Sequence, residues 1–202
     1  MALRCVLSLM SLLSLRPLKP CRPPVLLLAV LAALCISSPA QGALQVVQNG
    51  FVIRLQVSIN APPAQVYQAL LGQVGAWWDP GHTYSGDSRN LSIDARPGGC
   101  FCERLPDGGG IEHLRVLYLA PPHALRLSGA LGPLQASGLA GALSLALSPS
   151  AGGGTALLLV YSVGGFMEGG LDRIGPAADG MLAGQVQRLK RFVETGQPGA
   201  AP

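Results

Sequence analysis

Glu103 and His113 are the residues of this chain whose types and spacing best suit acid–base work. Between them lies Pro106-Asp107-Gly108-Gly109-Gly110, a turn-forming run flanked by two segments rich in apolar residues. Read as a five-residue hairpin loop, it pairs Leu105 with Ile111, Arg104 with Glu112 and Glu103 with His113. Side chains alternate faces along a strand, so Phe101, Glu103, His113, Arg115 and Leu117 share one side. Cys100, Cys102, Arg104, Glu112, Leu114 and Val116 share the other. A carboxylate beside an imidazole holds the ring and favours its charged form, as a general base requires. Turned inward with Arg115 alongside, Glu103 and His113 are candidate catalytic residues. Turned outward, they are a cross-strand polar pair in water. A one-residue slip in register exchanges the two outcomes.

A second cluster follows two tryptophans. Trp77-Trp78-Asp79-Pro80-Gly81 reads as a turn, and His82-Thr83-Tyr84-Ser85-Gly86-Asp87 as a polar loop. One tryptophan is expected to plug the core, while Trp78, His82 and Tyr84 are candidate ligand contacts, each an aromatic ring with a polar handle. Cys100 and Cys102 point the same way on one strand. With His82 they make three soft ligands and lack the paired spacing of a zinc site, so no metal is expected. Their expected state is two buried free thiols, with a strained redox-active disulfide as the alternative, since a direct bridge between residues i and i+2 of a strand lies at the limit of the usual Cα separation. There is no Gly-x-Ser-x-Gly elbow and no phosphate-cradling Gly-Lys-Ser/Thr loop.

The elements that must position these residues follow from periodicity. Gly50 to Asn60 reads as a strand, and Ala61-Pro62-Pro63 stops it and opens a helix over Pro62 to Leu71 with Val66 and Leu70 on one face. Short strands follow: Leu91 to Ala95, Cys100 to Leu105, Ile111 to Ala120, Ala124 to Ser128, Leu139 to Leu147 and Thr155 to Val163. Connections of hairpin length require an antiparallel sheet. The period then changes. Ala178, Met181, Leu182, Val186 and Leu189 mark the apolar stripe of a long helix, with Arg188, Lys190, Arg191 and Glu194 opposite and Gly196 as its C-cap. Two small-residue stretches, Gly129 to Gly141 and Gly164 to Gly170, permit close backbone approach beside any hollow left between sheet and helix. Phe166, in the second, is a further candidate ligand contact.

The first 43 residues read as a leader. Arg4, Arg16, Lys19 and Arg22 precede the apolar run Val25 to Ile36 and the small residues Ser37 to Ala43, with no acid among them. The run is shorter than the roughly 20 residues of a bilayer span. Export to a bacterial periplasm or the medium is expected, with an N-terminal anchor as the alternative if the leader is retained. The formal charge of +4 belongs to this segment: four of the 14 Lys and Arg lie in it, and the other ten balance ten Asp and Glu. The remainder is neutral and gives no sign of nucleic-acid binding or, once the leader is cleaved, of membrane binding. It is long enough for one domain with a sizeable core, taken as 44–196 with a disordered tail at 197–202.

Three strings resemble the START-like, helix-grip superfamily, also called SRPBCC, which includes polyketide cyclases and chaperone-ATPase-activator-like domains. They are Val57 to Leu70 (VSINAPPAQVYQAL), Pro97 to Glu103 (PGGCFCE) and Val116 to Leu125 with Pro121-Pro122. The resemblance covers roughly Phe51 to Thr195. It implies an α+β helix-grip fold, a curved antiparallel sheet of about seven strands wrapped around the C-terminal helix, with an apolar cavity between them. The leading expectation is an exported protein that binds an apolar or amphipathic small molecule there without a cofactor. The second is a cyclase or hydrolase using Glu103 and His113, and the third a protein-binding module. Trp78, His82, Tyr84, Glu103, His113, Arg115 and Phe166 are the residues expected to meet a ligand in the cavity.

Overall fold

The computed structural model describes residues 42–199; the leader and its cysteines lie outside them. The first strand, β1 (Gly42–Val47), was not anticipated and makes a tight hairpin with β2 (Gly50–Ile59). Then come α1 (Pro63–Gly72), α2 (Val74–Trp77), β3 (Leu91–Ile93), β4 (Cys100–Arg104) and β5 (Gly110–Ala120). The chain continues through β6 (Ala124–Ser128), β7 (Gly138–Pro149), β8 (Thr155–Phe166) and α3 (Gly175–Thr195). All strand pairs are antiparallel, in one eight-stranded sheet ordered β1-β2-β8-β7-β6-β5-β4-β3, where about seven strands were expected.

Strict alternation builds the inner face. Phe51, Ile53, Leu55, Val57 and Ile59 of β2 are all buried, as are Leu157, Leu159, Tyr161 and Val163 of β8. Each such aliphatic side chain contributes about 1.5–3 kcal/mol of burial free energy. Against this face pack Leu182, Val186 and Leu189 of α3, and Val66 and Leu70 of α1. Helix α1 starts with Pro63 at a position where no backbone donor is needed. The C-terminus of α3 closes on Gly196 in the left-handed conformation (φ 78°), as its sequence requires.

Arg188 departs from the expected solvent face of α3. It is buried, and its guanidinium donates to the carbonyls of Trp77 (2.9 Å) and Gly199 (2.9 Å). Arg191 likewise donates to the Pro198 carbonyl (2.9 Å), so the segment after α3 is tied to the helix through residue 199. Among the described residues no helix is long and apolar enough to cross a membrane.

Candidate functional site

A β-bulge decides which side chains face inward. The ladder between β4 and β5 pairs Phe101 with Leu114 and Cys102 with Glu112, which leaves His113 as the extra residue. The expected Glu103–His113 register is therefore replaced by Glu103 opposite Ile111. Because the bulge inserts one residue, His113 and Leu114 are both buried, and beyond them the alternation reverses. Val116 points inward, while Leu117 and Arg115 point out. Arg115 does not join the pair. Its side chain is 51% exposed and bonds Glu112 and the Gly98 carbonyl on the solvent side.

The two chemical residues still meet on the inward face. His113 Nε2 lies 2.9 Å from Glu103 Oε2, with both residues buried. Glu103 also accepts the Tyr84 amide at Oε2 (3.1 Å) and the Ser85 amide at Oε1 (2.5 Å). Burial raises the Glu103 pKa, but hydrogen bonds from Ser85, Tyr84 and His113 outweigh it and hold the carboxyl below its ordinary value. An ionised carboxylate has no proton to give, so Nε2 of His113 is the donor and carries the ring hydrogen.

The loop before β3 is built from both sides. Asp79, 2% exposed, accepts the Gly81 amide at 2.9 Å and faces His82 Nδ1 at 3.2 Å. Its own amide donates to Gln185 Oε1 of α3 (2.9 Å), which fixes the loop to the helix. Both tryptophans are buried: Trp77 donates to the Ala69 carbonyl and Trp78 to the His82 carbonyl.

Between this loop, the sheet and the first turns of α3 lies a cavity of about 510 Å³. Trp78, His82, Tyr84 and His113 line it, with Phe101 from β4 and Tyr161 from β8. Its helical wall is Ile174, Ala178 and Met181; its far wall is Leu131 and Leu134, on the small-residue stretch between β6 and β7. Sequence reasoning marked that stretch for its glycines and missed its leucines. Tyr161 holds it in place, accepting the Leu131 amide (2.7 Å) and donating to the Gly129 carbonyl (3.3 Å). Burial pushes the Tyr161 hydroxyl up to about 12, so it stays protonated.

Beyond Trp78 and Phe101, whose rings meet edge to face at 5.4 Å, the interior is nearly filled and leaves only about 50 Å³. The hollow therefore occupies one end of the sheet–helix interface. Phe166 is outside it: the residue is 80% exposed at the end of β8. Glu103 stands behind His113 and is absent from the lining. A shallow groove of about 810 Å³ over Val52, Ala142 and Ser162 lies on the other face of the sheet, away from these groups.

The two cysteines also depart from expectation. Cys100 and Cys102 form a disulfide, with Cα atoms 5.3 Å apart instead of the roughly 6.7 Å of two extended strand steps. The register shift falls between Phe101 and Cys102, and the shortened strand brings the bridge within reach. Among the described residues no group of three His, Cys, Asp or Glu could hold a metal ion.

No protein-family model matches this chain, and no curated protein matches it. Solved structures do. EF2215 of Enterococcus faecalis, a conserved protein of unknown function, superposes with a TM-score of 0.56 at 18% identity, covering 80% of this chain and 81% of its own. CalU16 of Micromonospora echinospora gives 0.52 at 17% identity over 79% of this chain and 88% of its own. The chain has the helix-grip fold. DynU16, a protein in the dynemicin biosynthetic locus, gives 0.52 at 21% identity over 73% of this chain, which spans 48% of DynU16. Likeness at these identities establishes architecture, and the site must be argued from its own residues.

Proposed function

We propose that this protein binds an apolar or amphipathic small molecule, of two or three fused rings or similar bulk, between the start of α3 and the sheet. The cavity carries the reading. Its volume lies in the range of small-molecule sites, and its walls are aromatic and aliphatic with a few converging polar groups. Met167 and Met181 supply adaptable surface at its edge.

Ala178 offers a direct test, because it lines the cavity from α3. An indole built there fills space that a ligand needs and leaves the sheet untouched. Ala178→Trp is expected to weaken binding of a fluorescent naphthalene probe by at least about tenfold, with little change in the urea midpoint. Equal binding by wild type and variant, or no saturable binding by wild type, would sink the proposal.

A second reading is favoured by the 2.9 Å Glu103–His113 contact: acid–base chemistry on the bound molecule, with His113 as base and Glu103 as its orienting carboxylate. The proposal also includes export, on the strength of residues 1–43 alone. N-terminal sequencing of protein recovered from the native envelope should begin between Gln41 and Leu44; a start at Met1 would refute cleavage.

A further inference from the structure

His113 keeps one ring nitrogen uncommitted. Nε2 is engaged by Glu103, whereas Nδ1 is sealed from water and has no hydrogen-bond partner among the described residues. The residue is 5% exposed, lies 5.1 Å from the Phe101 ring and 6.0 Å from the Tyr84 ring, and lines the cavity. With hydrogen fixed on Nε2, the neutral ring presents Nδ1 as a bare acceptor.

The other polar side chains of the cavity walls are already used or stand near water. The Trp78 indole donates to His82, the Thr83 hydroxyl to Pro80 and the Tyr161 hydroxyl to Gly129. His82 and Tyr84 lie at the rim, 43% exposed at the side chain and 54% exposed as a residue, where water serves them. Leaving a buried acceptor empty is unfavourable, and a ligand that supplies the missing donor recovers that loss.

Resting on the proposed binding function, we infer that the cavity selects molecules that place a hydroxyl donor, phenolic or alcoholic, on an otherwise apolar frame, and that His113 Nδ1 accepts it. Glu103 does not touch the ligand. It is the positioning residue that holds the ring in the tautomer needed. Tyr84, half in solvent over the imidazole, turns aside to admit the hydroxyl.

The test compares three probes of one shape: 2-naphthol, 2-methoxynaphthalene and 2-naphthoate. Wild-type protein is expected to bind 2-naphthol at least about tenfold more tightly than the methyl ether, because a buried site built for a donor rejects the analogue that lacks it. Nitrogen-15 spectra of ring-labelled histidine supply a readout that needs no variant. The unprotonated nitrogen of His113 should shift with 2-naphthol and stay still with the ether. His113→Gln, which retains an amide donor toward Glu103, should bring the two affinities within about threefold.

Equal binding of naphthol and ether, with no nitrogen shift, overturns the inference and leaves the cavity function standing. Tightest binding of 2-naphthoate also overturns it, since a carboxylate seeks a charged, donating ring. Failure of all three probes to bind would remove the underlying function instead.

Discussion

Glu103→Ala is expected to destabilise the fold by about 3–5 kcal/mol, a scale set by leaving three buried donors without their acceptor. The carboxylate is 1% exposed and takes hydrogen bonds from the Tyr84 amide, the Ser85 amide and His113 Nε2. Alanine leaves all three donors behind in a space too enclosed for water to serve them well, at about 1–3 kcal/mol each before relaxation. The loop from His82 to Asp87 would swing outward to reach water, so probe binding should fall with stability. Urea denaturation of wild type and variant measures this difference. A loss under 1 kcal/mol would show that Glu103 is not holding the loop.

The pH dependence has a definite sign. The folded-state pKa of Glu103 lies below its ordinary value of 4.5. Its contribution is therefore complete above that value and drains away as pH falls toward and through the folded pKa. The gap between wild type and Glu103→Ala should be widest near neutrality and should narrow below pH 4.5. A gap that widens in acid would mean that the carboxyl is stored neutral.

Gly141→Ala is the second large effect, expected at about 3 kcal/mol with a matching loss of probe affinity. A Cβ at this position falls 2.2 Å from the Gly129 carbonyl oxygen and 3.1 Å from its carbon, so backbone and not a flexible side-chain tip must yield. The same separation breaks the hydrogen bond that the Gly129 amide donates to the Gly141 carbonyl (2.9 Å). It also pulls Leu131 and Leu134 away from the cavity they wall. Gly180 is the internal contrast, because a Cβ there meets nothing within 4 Å on the exposed side of α3. Gly180→Ala should stabilise by about 0.5–1 kcal/mol through helix propensity. The opposite signs of the two substitutions, read in parallel denaturation curves, check the argument. Two similar outcomes would sink it.

Periodicity determined a good deal. The alternation of β2, the Pro-led start of α1, the apolar stripe of α3 and its Gly196 cap are each consequences of local chemistry acting over a few residues. Short turns between strands left only an antiparallel sheet, and one sheet with one long helix left only a face to be covered. Those features were legible because each residue's preference is decided by neighbours within about four positions.

The site was legible only in its cast of residues. His113, Trp78, His82 and Tyr84 stand around one cavity with Glu103 behind His113, but Arg115 and Phe166 stand outside it. Nothing in Cys100 to Leu117 announces a bulge, since His113 and Leu114 both suit either face in isolation. Closing β4 against β3 and β5 while curving the sheet around α3 absorbed one extra residue, and that single insertion turned Leu114 inward and Arg115 outward, while His113 kept the side of Glu103. The Cys100–Cys102 bridge and the burial of Arg188 have the same character, for each depends on how far apart two backbones settle. The order and type of the elements were thus decided by the chain alone. Which side of the sheet the chemistry occupies was decided by long-range pairing, because register depends on curvature that no short window of residues contains.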